Sequence, residues 1–175
     1  MSGEPELEEL FSAAYEELRR LAAAVKRDDR HASLSATTLV NEAFLKLASG
    51  PRFKALSPLH FKRIVARAMR QVLVEAARRR NAGKRGGGDV IFVTLDESTA
   101  QAGQSARDLM ALDAALEALA RFHPRQAEMV VCRFFGGLDI EQTAKALDVS
   151  EATIQRDWRA AKAWLAQQLR GEAYG

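Results

Sequence analysis

The stretch LDIEQTAKALDVSEATIQRDWRAAKAWLAQQL, from Leu138 to Leu169, admits few folds. Ile140, Thr143, Ala144 and Leu147 recur at helical spacing, and Ala144 is small enough for a second helix to approach closely. Asp148 and Val149 break that pattern. Ser150 then offers an N-cap, and Glu151 a negative charge, to the first turn of a second helix. In that helix Ile154, Trp158, Ala161 and Leu165 share one apolar face. The other face carries Thr153, Gln155, Arg156, Arg159 and Lys162, whose donors suit phosphates and base edges. A short helix, a tight turn and a longer basic helix follow the helix-turn-helix plan, in which the second helix enters the major groove.

Charge is distributed unevenly along the rest of the chain. The net charge is only +3, but Pro51 to Gly88 holds eleven Lys or Arg against one acid, Glu75. Asp89 to Ala120 holds six acids and one Arg. A concentrated basic block is the electrostatic footprint of a polyanion binder. The N-terminus, MSGEPELEELF, is acidic and lacks the basic-then-apolar pattern of a secretory signal. No apolar run approaches the ~18 residues of a membrane span, so a cytoplasmic chain with no membrane partner is expected. The single cysteine, Cys132, lies in the apolar run MVVCRFF and reads as a buried thiol. His31, His60 and His123 are scattered, and Asp96 and Glu97 form no ligand spacing, so no metal is expected. There is no GxxxxGK[ST], GxGxxG or HExxH, and GKRGGG follows a helix rather than a strand. Neither a cofactor nor a catalytic site is expected, and the chain does not read as an enzyme.

In chain order, the first predicted helix covers Glu6 to Val25, with Leu7, Leu10, Phe11, Ala14, Leu18, Leu21 and Val25 on its apolar stripe and a Glu16–Arg20 pair outside. A second runs from Ser35 to Leu47 and buries Leu39, Val40, Ala43, Phe44 and Leu47 before Gly50 and Pro51 stop it. A third, from Pro58 to Arg80, turns Phe61, Ile64, Val65, Ala68, Val72 and Ala76 inward. Along its other stripe lie Arg63, Arg67, Arg70 and Arg78, with Gln71 beside them and Arg52 and Lys54 in the loop before. Concentration of so many arginines on one helix and its flanks favours a nucleic-acid face over a merely solvated one. Gly83 to Ala106 reads as a linker, with Val90 to Leu95 as a brief strand or extended segment. Helices through Leu109–Leu119 and Pro124–Phe134 complete a four-helix module with the helix-turn-helix. The expectation is an all-α chain of two small domains, 1–82 and 108–175, joined by a linker at 83–107.

FHPRQAEMVVCRFFGGLDIEQTAKALDVSEATIQRDWRAAKAWL strongly resembles the C-terminal domain of bacterial sigma factors of the sigma-70 family. SATTLVNEAFLKL and the Arg-rich helix after it are similar to that family's N-terminal promoter-melting domain. Two domains with only a linker between them resemble the extracytoplasmic-function (ECF) group, over about Leu7 to Leu169. The resemblance implies a protein that binds core RNA polymerase and directs it to promoter DNA. The N-terminal domain would open the -10 element through Arg52, Lys54, Arg63, Arg67, Arg70, Gln71 and Arg78, with the loop Gly50 to Ser57 rimming a pocket for a flipped base. The helix-turn-helix would read the -35 element, with Thr153, Gln155, Arg156 and Arg159 at base edges and Ser150 and Lys162 on phosphate.

Two departures from the family stand out. Asp157 and Ala160 occupy the reading helix where relatives carry basic or neutral polar residues, which bears on the promoter sequence. The acidic cluster Asp-Ala-Glu-Asp, which docks relatives on polymerase, is replaced by Ser35, Ala36, Thr37 and Thr38. Thr37, Thr38, Asn41 and Glu42 are thus the expected polymerase-binding positions. The pattern resembles an ECF subgroup in which a threonine replaces the acids, so Thr37, or after it Thr38, is a candidate for a Ser/Thr kinase that restores the charge. An anti-sigma protein is the other regulatory partner such a chain would have. The alternative from a different class is a stand-alone helix-turn-helix regulator, which would bind duplex DNA without polymerase.

Overall fold

A computed structural model of the chain describes residues 35–49, 58–82, 94–95, 100–101 and 106–173, together with Glu9, Ser12, Tyr15, Glu16, Arg19, Arg20 and Ala23. The architecture is all-α, as expected. Its helices are α1 (Ala36–Ser49), α2 (Pro58–Ala82), α3 (Ala106–Phe122), α4 (Pro124–Phe134), α5 (Ile140–Leu147) and α6 (Glu151–Ala173). Between α2 and α3, β1 (Thr94–Leu95) pairs antiparallel with β2 (Ala100–Gln101), with Thr94 opposite Gln101. The seven described residues before Ser35 are helical, within the predicted first helix. There the Glu16 carboxylate accepts from Arg19 at 3.3 Å, one residue short of the expected Arg20, which donates instead to the Glu16 main-chain oxygen.

Local chemistry sets the helix ends. Ser35 caps α1: its Oγ accepts from the Thr38 N–H at 3.1 Å, and the Leu39 N–H reaches the Ser35 carbonyl at 2.9 Å. Leu39, Val40 and Ala43 are buried beneath it. α1 runs two residues past the expected Leu47, and the Ser49 hydroxyl donates to the Lys46 carbonyl in its last turn.

The burial of α2 exceeds the single stripe expected from its periodicity. Phe61, Val65, Ala68 and Val72 are buried as predicted, while Ile64 and Ala76 are only half-buried. Ala66, Met69, Leu73, Val74 and Ala77 are buried as well. The reason is that α2 is packed on two sides, by α1 and by α3, α4 and α5. A helix with one covered face needs an apolar arc of only about 100°. One contiguous core therefore runs from Leu39 and Val40 through Met69 and Leu112 to Ile154 and Leu165. The expected boundary between two domains falls between α2 and α3, and most of 83–107 lies outside the described residues.

The turn between α4 and α5 is built where α2 passes closest. A Cβ on Gly136 would stand 2.9 Å from the Ala66 Cβ and 2.6 Å from the Cys132 carbonyl oxygen, so only glycine fits. Gly137 next to it has φ 64, a left-handed conformation open to glycine without steric cost.

Candidate nucleic-acid interface

The helix-turn-helix is assembled by its caps. Asp139 precedes α5 and forms a reciprocal box with Gln142: its Oδ1 accepts from the Gln142 N–H at 2.7 Å, and Gln142 Oε1 accepts from the Asp139 N–H at 3.2 Å. The Thr143 hydroxyl, fully buried, donates to the Asp139 carbonyl at 2.6 Å. At the other end Asp148 takes the left-handed conformation, φ 54 and ψ 50, and the Val149 N–H reaches back to the Ala144 carbonyl at 3.0 Å. Aspartate tolerates this conformation better than most side chains, so α5 stops there and the chain turns into α6. Ser150 caps α6 as Ser35 caps α1: Oγ accepts from the Thr153 N–H at 3.1 Å and pairs with Thr153 Oγ1 at 3.0 Å.

With its start fixed, α6 divides into the two expected faces. Ile154, Trp158, Ala161 and Leu165 are buried, and Trp164 packs at the core's edge, so both tryptophans are core residues as read. Gln155, Arg156 and Arg159 are exposed, and Lys162 is half-buried beside them. Ser150 is exposed and Thr153 half-buried, their hydroxyls bonded to each other at the cap.

Asp157 is a correction. It does not lie on the outward face: it is 5% exposed, and its Oδ2 accepts from Arg125 Nε at 2.9 Å and lies 2.8 Å from Nη2. It joins α6 to the start of α4, so its departure from the family pattern says nothing about the promoter sequence. Next to it the Arg133 guanidinium stacks on the Trp158 ring at 4.0 Å from the centroid.

The arginine row of α2 faces the C-terminal half. Arg63 Nε donates to Glu128 Oε1 at 3.0 Å, and Arg63 Nη1 to the Ala146 carbonyl at 3.3 Å. Arg67 reaches the same carboxylate through both Nε, 2.8 Å from Oε1, and Nη2, which bonds Oε2. Arg70 Nε donates to Asp113 Oδ1 at 2.8 Å and its Nη2 to the Asp113 carbonyl at 3.2 Å, while Arg78 reaches Oδ2 at 3.4 Å. A cleft of about 460 Å³ lies along this row, with Gln71 and Glu75 on the α2 side and Asp113, Glu117 and Glu128 on the other. Gln71 is exposed. Arg52, Lys54 and the predicted pocket rim from Gly50 to Ser57 lie outside the described residues.

Electrostatics follow from these contacts. Burial pushes the Glu128 carboxyl up, but the hydrogen bonds and charges of Arg67 and Arg63 outweigh it and hold the group below its ordinary range. The Glu128 hydrogen bond raises Arg67 against its own partial burial. The Cys132 thiol, fully buried, is pushed up to about 12 by burial first and by the Glu128 charge second. It is the inert thiol expected from its apolar run.

On α1, Thr37, Thr38, Asn41 and Glu42 are all exposed. They differ in one respect: Thr38 Oγ1 is 2.9 Å from Ser35 Oγ, within the cap, whereas Thr37 stands outside that pair. The first turn of α1 carries no acid.

Asp113, Glu128 and Arg125 are the residues that sequence reasoning missed. Their partners lie 43, 61 and 32 residues away along the chain for Arg70, Arg67 and Asp157, too far for a periodic signal. Among the described residues no cluster of three or more His, Cys, Asp or Glu is placed to hold a metal ion. No helix among them is long and apolar enough to cross a membrane.

The family model described as ECF sigma factor matches residues 1–171 of this chain. No curated protein matches it, and no solved structure does.

Proposed function

The chain belongs to the ECF sigma factor family, so it partners core RNA polymerase and directs transcription initiation, and we propose that its two halves and its α1 cap divide that work as follows. α6 reads the duplex -35 element. The observation that carries this is the division of α6: Gln155, Arg156 and Arg159 stand clear of the protein while Ile154, Trp158, Ala161 and Leu165 anchor the opposite face. Arginine meets guanine and glutamine meets adenine through paired hydrogen bonds, each worth ~1–3 kcal/mol of discrimination. Ser150 and Lys162 flank the row and hold phosphate; Thr153 contributes at its edge. The arginine row of α2, with Gln71, Arg52 and Lys54, meets the phosphates of the melted -10 strand.

Docking on polymerase runs through Thr37, Thr38, Asn41 and Glu42 and is set by phosphorylation of Thr37. Support comes from the cap: the Thr38 hydroxyl is held by Ser35, and exposed Thr37 is the hydroxyl outside that bond. A phosphate would bring about -1.5 to -2 charges to a helix N-terminus that has no acid of its own and whose dipole favours them.

Two measurements test this reading. Arg156→Ala in run-off transcription on promoters varied one -35 base pair at a time should erase the preference at one position and leave polymerase binding intact. Uniform weakening, with a salt slope lower by about one, would move Arg156 to phosphate. Polymerase pull-down with unmodified, kinase-treated and Thr37→Ala protein tests the switch. Strong binding by all three, and by protein lacking both threonines, removes phosphorylation and leaves only a helix cap.

A further inference from the structure

Each carboxylate that meets the α2 arginine row receives two guanidinium groups. Glu128 on α4 takes Arg63 and Arg67, and Asp113 on α3 takes Arg70 and Arg78. Main-chain carbonyls of Asp113 and Ala146 complete the contacts, so the row is engaged by three elements of the C-terminal half. Both carboxylates are largely covered, with side chains 18% and 10% exposed. Arg67 presents Nε and Nη2 to the two oxygens of Glu128, the same fork that a guanidinium offers two oxygens of a phosphate.

We infer that Glu128 and Asp113 occupy the places of DNA phosphates on α2, and that the free factor is thereby closed to single-stranded DNA until its halves part. The inference rests on the reading of the α2 row as a strand-binding face. Steric and electrostatic exclusion act together. While α2 lies against α3 and α4, a strand cannot approach Arg63 or Arg70, whose side chains are only 25% and 20% exposed. A phosphate that did approach Arg67 or Arg78 would meet Glu128 and Asp113 within the same cleft, a like-charge encounter. The arrangement also keeps the most basic surface of the chain from binding nucleic acid indiscriminately, since such binding depends on phosphate contacts alone.

The neutral, nearly isosteric pair Glu128→Gln and Asp113→Asn separates the outcomes. Removing both charges leaves Arg63 and Arg70 half-covered beside the apolar seam without counter-charges, which disfavours the closed state. The full-length double variant, without polymerase, should bind a short fluorescent oligothymidylate at least ten-fold more tightly than the wild type. Adding Arg67→Ala and Arg70→Ala should abolish the gain. If the double variant does not fold by circular dichroism, Glu128→Gln alone carries the test, with a gain of at least three-fold. A folded variant that binds no more tightly overturns the masking, provided Arg67→Ala with Arg70→Ala slows promoter opening by the holoenzyme. If those arginine substitutions leave promoter opening unchanged, the strand-binding reading fails and the inference falls with it. A gain that survives loss of the arginines overturns it too, since lower net negative charge would then explain the binding.

Discussion

Asp157→Asn tests whether position in the helix or position in space decides what a recognition-helix residue does. Asp157 lies between Arg156 and Trp158, within the segment that reads DNA, yet its carboxylate points to Arg125 of α4. Two N–H groups, Nε at 2.9 Å and Nη2 at 2.8 Å, converge on Oδ2. Hydrogen bonds to charged groups contribute about 1.5–3 kcal/mol, and breaking a fully buried ion pair from one side costs about 3–5. Here the cost falls short of the second figure because Arg125 is 51% exposed and can rehydrate once its partner is neutral. Asparagine also keeps the shape and one acceptor oxygen. The expected loss is therefore about 1–2 kcal/mol, or roughly 2–8 °C in Tm for a chain of this size. Thermal unfolding followed by circular dichroism measures it. In run-off assays the ranking of promoters should stay the same for Asp157→Asn, whereas Arg156→Ala should reorder the ranking while shifting Tm by no more than about 2 °C. An unchanged Tm together with an altered base preference for Asp157→Asn would refute the assignment.

Three further outcomes follow from the same contacts. Because the Glu128 carboxyl is held below its ordinary range in the folded chain, its contribution to stability is present above the unfolded carboxylate value and is lost as pH falls through the folded one. Unfolding measured from neutral pH down to about 3 should show that acid loss, with a smaller slope in Glu128→Gln, whose neighbours Arg63 and Arg67 stay charged throughout. With its pKa near 12 and no exposure, Cys132 should react with a thiol reagent at pH 8 only as fast as the protein unfolds, and at once in denaturant. Gly136→Ala drives a methyl to 2.6 Å from the Cys132 carbonyl and 2.9 Å from Ala66. Overpacking of that kind should lower stability by about 1–3 kcal/mol in the same thermal assay.

The helix-turn-helix was legible because its signals are local. Ser150 at the cap and the break at Asp148 lie within a few residues of what they control, and the structure bears both out. The box from Asp139 to Gln142 is equally local, an Asp-x-x-Gln before an apolar run, and it could have been read. On α2 the sequence showed more than one apolar stripe: Ala66, Met69, Leu73 and Ala77 repeat at helical spacing beside the face first chosen. A second stripe is the mark of a second packing partner, here α3 to α5. What no local pattern contains is which acid meets which arginine. Arg63 and Glu128 are 65 residues apart, and their meeting depends on how the two halves pack.

A trace of that meeting nonetheless stands in the charge distribution. The basic block from Pro51 to Gly88 is followed at once by the acidic block from Asp89 to Ala120, and Asp113 belongs to the second as Arg70 and Arg78 belong to the first. Net charge conceals this, since the blocks largely cancel in a sum of +3. A basic stripe on a helix was weighed as either a solvated face or a nucleic-acid face, but adjacent blocks of opposite sign favour a further arrangement, in which the stripe is satisfied within the chain. The residue type points the same way. A lysine row would offer point charges that water satisfies well, whereas a guanidinium fork is less strongly hydrated and matches two oxygens at fixed spacing. Carboxylate and phosphate both present such oxygens. A row of arginines is therefore a surface that one polyanion can vacate for another without a change in its own geometry, and α2 is built from four of them within sixteen residues.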